Sequence, residues 1–193
     1  MVAPLLWQRV TGIKTVLSPH IYHTLPLCTF LLYHCYYSDM SRRITVRGII
    51  VKDGKLFSVR HKRRDGTPKS FWCTPGGGLD PHETLNEGVI RELQEEIGVT
   101  PVVGRLLLIQ QFPFDEPQGK TGFDEELEFF FHIENPEDFE AIDLATTTHG
   151  DAEIAEYGFI DPSSVEYLPQ IFQELDLTEL TTKNSPVVIT SEL

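Results

Sequence analysis

The stretch Thr74–Val99 constrains this chain most, and it reads TPGGGLDPHETLNEGVIRELQEEIGV. A glycine-rich turn precedes residues with the spacing of a single helix. Asp80 is a suitable N-cap with Glu83 at capping-box distance, Pro81 fits the first helical position, and Gly98 fits the residue that ends a helix. Apolar residues recur every four positions, which predicts one buried face; they are Leu85, Val89, Leu93 and Ile97.

A second face of this predicted helix is acidic. Glu92, Glu95 and Glu96 stand at positions i, i+3 and i+4, so their side chains converge on one arc. Like charges placed in this way oppose helix formation by roughly 0.2–0.5 kcal/mol per pair. A hard divalent cation such as Mg²⁺ prefers oxygen ligands and would turn this repulsion into binding. Arg91 has Glu87 and Glu95 one helical turn away on either side and can hold carboxylates in place.

The same residues carry a resemblance to a known family. Gly77, Glu83, Arg91-Glu92-Leu93, Glu95-Glu96 and Gly98-Val99 resemble the Nudix box at every fixed position, and Pro75–Gly78 resembles its usual lead-in. The resemblance covers about residues 42–175. It implies an α/β class fold, an α/β/α sandwich around a mixed β-sheet, and hydrolysis of a nucleoside diphosphate linked to another group.

The resemblance also implies roles for individual residues. Glu92, Glu95 and Glu96 correspond to metal-binding glutamates and the carbonyl of Gly76 to a backbone ligand, with Mg²⁺ or Mn²⁺ as the cofactor. Arg91 would orient the glutamates, and Glu83 would be structural. The general base is either one of the three glutamates or an acid on a later loop. The later candidates are Asp151, Glu153 and Glu156.

Residues 60–69 form a basic loop in an acidic protein and lead directly into the glycine turn. We expect phosphate contacts from this loop, with Arg60 and Arg63 as candidates, because local positive charge attracts anions. The backbone of Gly77 and Gly78 permits close approach to a substrate. Trp72 could stack on a nucleobase or line the core, and the sequence leaves both open.

The charge balance limits the partners that this protein can have. The chain has 16 basic and 29 acidic residues and a formal net charge of −13. Proteins that bind polymeric nucleic acid need a basic surface, so a small-molecule nucleotide is the expected substrate. Three cysteines give no disulfide framework, which favours a reducing, cytoplasmic location. No apolar run reaches the length of a membrane span. The sequence leaves open whether the protein forms a homodimer.

We expect three regions: an N-terminal extension over 1–40, a Nudix domain over 41–176 and a flexible C-terminal tail over 177–193. The first 38 residues contain no Asp or Glu. The extension is therefore interpreted as dispensable, as an organelle-targeting segment, as a helix packed on the domain, or as the result of a true start at Met40. Within the domain we expect a hairpin turn at Asp53-Gly54, a strand over 125–133, a late strand over 152–160 and a final helix over 165–177.

The substrate is not given by the box. The compact size and hairpin start are most similar to nucleoside triphosphate pyrophosphatases, which hydrolyse (deoxy)nucleoside triphosphates. ADP-ribose or a nucleotide sugar is the alternative, since Pro113 lies one residue short of the proline typical of ADP-ribose members. Asp115, Glu116 and Pro117 occupy the places where dinucleoside polyphosphate members carry a tyrosine. A different class, a catalytically idle nucleotide-binding module, usually loses one of the box residues, and this chain keeps all of them.

Overall fold

The computed structural model describes residues 41–113 and 122–191. The N-terminal extension, including residues 1–38 with their targeting hypothesis, lies outside the described residues, and so do Asp115, Glu116 and Pro117. Within the part described, no helix is both long and apolar enough to cross a membrane.

Two β-sheets form the framework. The larger has the strand order β4-β1-β6-β5-β8 and is mixed, because β1 runs parallel to β6 and β5 parallel to β8 while the other pairs are antiparallel. The smaller has the order β2-β3-β7. The strands are β1 (Arg42–Ile49), β2 (Val51–Lys52), β3 (Lys55–His61), β4 (Gly76–Gly78), β5 (Val103–Pro113), β6 (Glu125–Ile133), β7 (Ile154–Ile160) and β8 (Val188–Ser191).

Three α-helices and four short 3₁₀ turns accompany the sheets in the described segments. The helices are α1 (Leu85–Ile97), α2 (Gly150–Glu153) and α3 (Leu177–Thr181). The predicted hairpin is confirmed, since Asp53 and Gly54 form the turn between β2 and β3. The predicted strand over 125–133 is also confirmed and is the central strand β6.

The larger sheet is covered on both sides, as the expected sandwich requires. Helix α1 buries Val89, Leu93 and Ile97 together with Val46 and Phe131 in one core cluster. A second cluster joins residues of the sheet to the chain that follows β7; its buried members include Ile49, Leu108, Phe130, Tyr167, Phe172, Leu177 and Leu180. Since β6 lies in the centre of the sheet, glutamates on this strand are buried as well as its apolar residues.

Helix α1 begins four residues later than the predicted N-cap would place it. Thr84, not Asp80, is the N-cap: its hydroxyl accepts a hydrogen bond from the Glu87 backbone at 3.3 Å, and the Glu87 carboxylate accepts one from the Thr84 backbone at 2.9 Å. Thr84 and Glu87 also have capping-box spacing, and His82, with φ of 69°, interrupts a helix that starts at Pro81. At the other end Gly98 is left-handed, as predicted.

The C-terminal region differs from the sequence-based expectation. The helix predicted over 165–177 is wrong, because Pro169 lacks a backbone donor and disfavours helix at the residue before it; only a 3₁₀ turn, Gln170–Gln173, follows. Within the region predicted as a C-terminal tail, over 177–193, Leu177–Thr181 forms α3 and Val188–Ser191 forms β8. Arg105 donates to three carbonyl groups of this segment, at Leu180, Thr182 and Ser185.

The start of α1 can be tested by two matched alanine substitutions. Thr84→Ala removes the cap and is expected to lower the free energy of unfolding by about 1 kcal/mol. Asp80→Ala removes an exposed side chain that does not cap the helix, and its effect should stay within about 0.5 kcal/mol. Urea unfolding of both variants measures the difference. A larger loss for Asp80→Ala would contradict the observed cap.

Candidate functional site

An open cleft of about 1310 Å³ lies between the larger sheet, the glycine turn and α1. Its walls include the loop that follows β3 and the segment around α2. The lining residues fall into three groups, a set of carboxylates, a set of basic side chains and an apolar set. The carboxylates are Glu92, Glu95, Glu96, Glu126, Glu128 and Glu153.

Arg91 holds the acidic face of α1 against the glycine turn. Its Nη1 donates to Glu92 Oε1 at 2.8 Å and to Glu95 Oε2 at 3.1 Å. Its Nη2 donates to the Gly78 carbonyl at 2.9 Å, and its Nε and Nη2 form a two-point contact with Glu83 at 2.8 and 2.9 Å. Glu83 therefore anchors Arg91, while Glu87 caps the helix and does not join this network. One guanidinium fixes the positions of two of the three predicted ligands.

Glu96 is the most buried of the three glutamates, with 3% of the residue exposed. Its Oε2 accepts a hydrogen bond from the Gly76 backbone at 2.9 Å. Burial raises the pKa of Glu96 to about 7, although the Gly76 N–H and the charge of Arg47 act in the opposite direction. Burial also raises the pKa of Glu92, against the effect of Arg91. The cluster therefore carries negative charge that the protein stabilises only in part.

The glycine turn brings backbone directly against these carboxylates. Gly76 has φ of 132°, and a Cβ there would lie 2.2 Å from the Val46 carbonyl. A Cβ on Gly77 would lie 2.5 Å from Glu92 Oε2. Larger residues would thus displace the strand or the glutamate. The Gly76 carbonyl, the expected backbone ligand, lies 3.4 Å from Arg47 Nη1.

Two histidines at this site were not predicted from the sequence. His61 Nε2 lies 3.8 Å from Glu96 Oε1, and His149 Nδ1 lies 3.5 Å from Glu95 Oε2. Burial and the nearby charges of Lys69 and Arg47 lower the pKa of His61 to about 4, so its imidazole is neutral at neutral pH. The register shift between Arg60 and His61 changes the direction of this strand end, and a single sequence carries no signal for it.

The three candidate acids on the later loop, Asp151, Glu153 and Glu156, lie in different surroundings. Glu153 lies with His61 and Glu96, and one ligand atom from each of these residues lies within 4.8 Å of the others. Asp151 is exposed, and its backbone carbonyl accepts a hydrogen bond from Lys62 Nζ at 2.6 Å. Glu156 forms an ion pair with Arg60 at 3.1 Å and does not line the cleft. Of the three, the structure brings only Glu153 to the glutamate cluster.

Some residues of the basic loop line the cleft, and Arg60 does not. Arg63 lines the cleft, and so do Lys62, Arg64 and Lys69. Arg60 does not line the cleft, because its guanidinium binds the Lys69 carbonyl and Glu156. Trp72 packs against the second core cluster and is likewise not part of the cleft lining. We therefore leave Arg60 and Trp72 out of the site proposed below.

The residues present fit a hard divalent cation. Glu92, Glu95 and Glu96 of α1 line one cleft, Glu153 of α2 comes within 4.8 Å of Glu96, and burial raises the pKa of Glu96. Repulsion between such groups is relieved by a cation with oxygen ligands. The neutral imidazole of His61 adds a nitrogen donor at the edge of the same group.

Comparison with known proteins adds independent information. A family model described as the NUDIX domain matches residues 41–178. The ADP-ribose pyrophosphatase of Methanocaldococcus jannaschii is 38% identical over 76 residues, which is 39% of this chain and 44% of that protein. The RNA pyrophosphohydrolase of Stenotrophomonas maltophilia is 45% identical over 56 residues, 28% of this chain and 25% of that protein. The chain thus spans less than half the length of these relatives.

Solved structures show the same fold. The crystal structure of a MutT protein from Methanosarcina mazei Go1 superposes with a TM-score of 0.54 at 22% identity, covering 77% of this chain and 99% of that one. This likeness supports the α/β architecture with its mixed sheet.

The burial of Glu96 predicts a specific pH dependence of stability. Its pKa is higher in the folded protein than the ordinary 4.5, so between these values the folded state binds more protons than the unfolded state. The contribution of Glu96 to stability is therefore lost as the pH rises from about 4.5 through about 7, and it changes little above that. Glu96→Gln cannot ionise, and relative to wild type it should gain up to roughly 3 kcal/mol between pH 4 and pH 8. Urea unfolding in a chelator measures this, and parallel pH–stability curves would contradict it.

Proposed function

Because the chain belongs to the NUDIX domain family, we propose that it hydrolyses a phosphoanhydride bond in a small nucleotide substrate. One observation carries the proposal: Arg91 holds Glu92 and Glu95 in the same cleft as the buried Glu96. A catalytically idle module would have no need of three clustered carboxylates whose mutual repulsion opposes the helix.

Glu92, Glu95, Glu96 and the Gly76 carbonyl would hold Mg²⁺, or Mn²⁺ in its place, with Glu153 at the edge of the group. When bound, the cation supplies charge neutralisation at phosphoryl oxygens and lowers the pKa of a water molecule. Glu153 reaches the cluster from α2 and is our candidate to accept a proton from the attacking water. Arg91 binds the carboxylates of Glu83, Glu92 and Glu95 and the Gly78 carbonyl, and it would act by positioning the glutamates.

The basic residues Lys62, Arg63, Arg64 and Lys69 provide the complement to the substrate's phosphates. They line the cleft near the cluster of carboxylates in a protein whose net charge is −13. Positive charge concentrated in a cleft raises the local concentration of anions. Four such charges match a polyphosphate chain, and we therefore propose a (deoxy)nucleoside triphosphate as the first candidate substrate.

ADP-ribose is the second candidate. The relative from Methanocaldococcus jannaschii, which is named an ADP-ribose pyrophosphatase, favours it, and Pro113 lies at the rim of the cleft. The acidic net charge argues against polymeric RNA as substrate, although the relative from Stenotrophomonas maltophilia is named an RNA pyrophosphohydrolase. We also propose a cytoplasmic location, consistent with the free, buried thiol of Cys73.

The substrates can be separated by their products. The full chain is incubated with Mg²⁺ and, in separate reactions, with nucleoside triphosphates, ADP-ribose and 5′-triphosphorylated RNA, and the products are identified by mass. We expect a nucleoside monophosphate and pyrophosphate from a triphosphate. AMP and ribose phosphate from ADP-ribose alone would establish the second candidate, and turnover of the RNA alone would contradict both.

The roles of the carboxylates are tested by matched glutamine substitutions. Glu95→Gln and Glu153→Gln should each lower kcat by about 10²–10⁴-fold, because the first weakens the cation site and the second removes the proposed proton acceptor. Glu156→Gln changes a glutamate outside the cleft and should leave kcat within about twofold. All three should fold, as circular dichroism can verify.

Chelation completes this test. Exhaustive removal of divalent metal should abolish turnover by the wild-type protein, and added Mg²⁺ should restore it. Full activity after chelation, or unchanged kcat in Glu95→Gln, would show that the carboxylate cluster has been assigned the wrong role.

A further inference from the structure

The floor of the cleft contains two buried oxygen atoms that lack hydrogen-bond donors. Glu126 is 5% exposed and Gln110 is 3% exposed, and both side chains line the cleft. Within the described segments, Oε1 of each has no hydrogen-bond partner. Buried acceptors are almost always satisfied in folded proteins, and an unmade bond is costly. The two atoms therefore point to a missing donor.

The sheet places these two residues side by side. In the pairing of β5 with β6, Gln110 lies opposite Glu128 and Phe112 lies opposite Glu126. Gln110 and Glu126 are thus diagonal neighbours on adjacent strands, and their side chains point to the same face of the sheet. Long side chains at such positions can reach one ligand group together.

Neighbouring protein groups do not supply the missing hydrogen-bond donor. Arg43 forms an ion pair with Glu126, but its Nε lies 4.0 Å from Oε1, which is beyond hydrogen-bond distance. The hydroxyl of Thr45 interacts with the Glu126 carboxyl group, yet Oε1 stays unpaired. Glu128, the second acid of the floor, accepts a hydrogen bond from Arg47 Nε at 2.5 Å.

Charge decides which part of a nucleotide can lie on this floor. A carboxylate repels phosphate, and the phosphates have the basic loop over 62–69 as their partner. The neutral nucleoside is the part that can approach Glu126. Apolar side chains line the same cleft and suit a flat, weakly polar ring; they are Phe71, Phe112, Leu168 and Pro169.

We propose that Glu126 and Gln110 form a nucleobase subsite that selects bases carrying N–H donors, with the exocyclic amino group as the recognised feature. The inference rests on the proposed function and names the substrate class of the same cleft. Guanine suits the pair best, since its ring N1–H and its 2-amino group present two donors side by side on one edge. Ribose hydroxyls are the other donors that a nucleoside offers, and the test separates them.

The experiment compares pairs of substrates in which only one member carries a given amino or hydroxyl donor. kcat/KM is measured for GTP against ITP, which lacks the 2-amino group, for CTP against UTP, and for GTP against dGTP. If ADP-ribose is the substrate turned over, ADP-ribose and IDP-ribose form the pair. The wild-type protein should prefer the amino-bearing member by about tenfold or more, because the member without the amino group leaves a buried acceptor unpaired. Replacing GTP with dGTP, which lacks the 2′-hydroxyl, should change kcat/KM little.

Variants connect this preference to the two residues. Glu126→Gln replaces one acceptor oxygen with a donor, and Gln110→Met removes the amide oxygen. Either substitution should reduce the kcat/KM preference for the amino-bearing nucleotide to about twofold or less. The nucleotide without the amino group should still be hydrolysed. Gln111→Met is the matched control, because Gln111 is the next residue on β5. Its side chain donates a hydrogen bond to Glu125 and does not line the cleft. This control should keep the wild-type preference.

The outcomes distinguish the two proposals. Equal kcat/KM for both members of each pair, a preference that follows the 2′-hydroxyl, or an unchanged preference in both Glu126→Gln and Gln110→Met would overturn the subsite while hydrolysis stands. Absence of turnover for every nucleotide would overturn the proposed function and the subsite with it.

Discussion

The network around Arg91 is the interaction on which the site depends. One guanidinium binds Glu83 at the start of the α1 segment, two glutamates on the helix and the carbonyl of Gly78 in the glycine turn. It joins the helix to strand β4 and counters the repulsion among carboxylates that would otherwise destabilise both. The absence of a side chain at Gly77 is what lets Glu92 lie against the turn. A lysine could not replace this arginine, because it lacks the planar, multiply donating group.

The cleft separates its charges by position. Acidic groups of α1 meet Glu153 at one wall, basic residues of the loop over 62–69 lie close to them, and Glu126 with Gln110 forms the floor. An anionic substrate can enter an acidic protein only where such local positive charge exists. In the proposed arrangement each chemical part of a nucleotide would have a matching surface, with phosphates at the basic loop and the base over the apolar and acceptor groups.

The sequence predicted what depends on local spacing. Glu92, Glu95 and Glu96 share a helix face by periodicity alone, and Gly98 ends the helix because of its backbone freedom. Features that depend on long-range pairing were not accessible: His61 reaches Glu96 through a bulge in β3, and Gln110 meets Glu126 through the register of β5 and β6. The N-cap prediction at Asp80 is wrong because two capping-box patterns follow one another, Asp80 with Glu83 and Thr84 with Glu87, and spacing alone does not choose between them. Arg60, predicted to contact phosphate, does not line the cleft because it pairs with Glu156 on β7, which is distant in sequence. The sequence leaves the role of Trp72 open because an aromatic ring suits both a nucleobase contact and the core.

The three glutamates are proposed to form one divalent cation site, and electron paramagnetic resonance of bound Mn²⁺ measures its occupancy. We expect saturable Mn²⁺ binding by the wild-type protein, competition by Mg²⁺, and binding weakened at least about tenfold in Glu96→Gln but not in Glu156→Gln. Equal Mn²⁺ affinity in wild type and Glu96→Gln, or no binding by the folded wild-type protein, would contradict it.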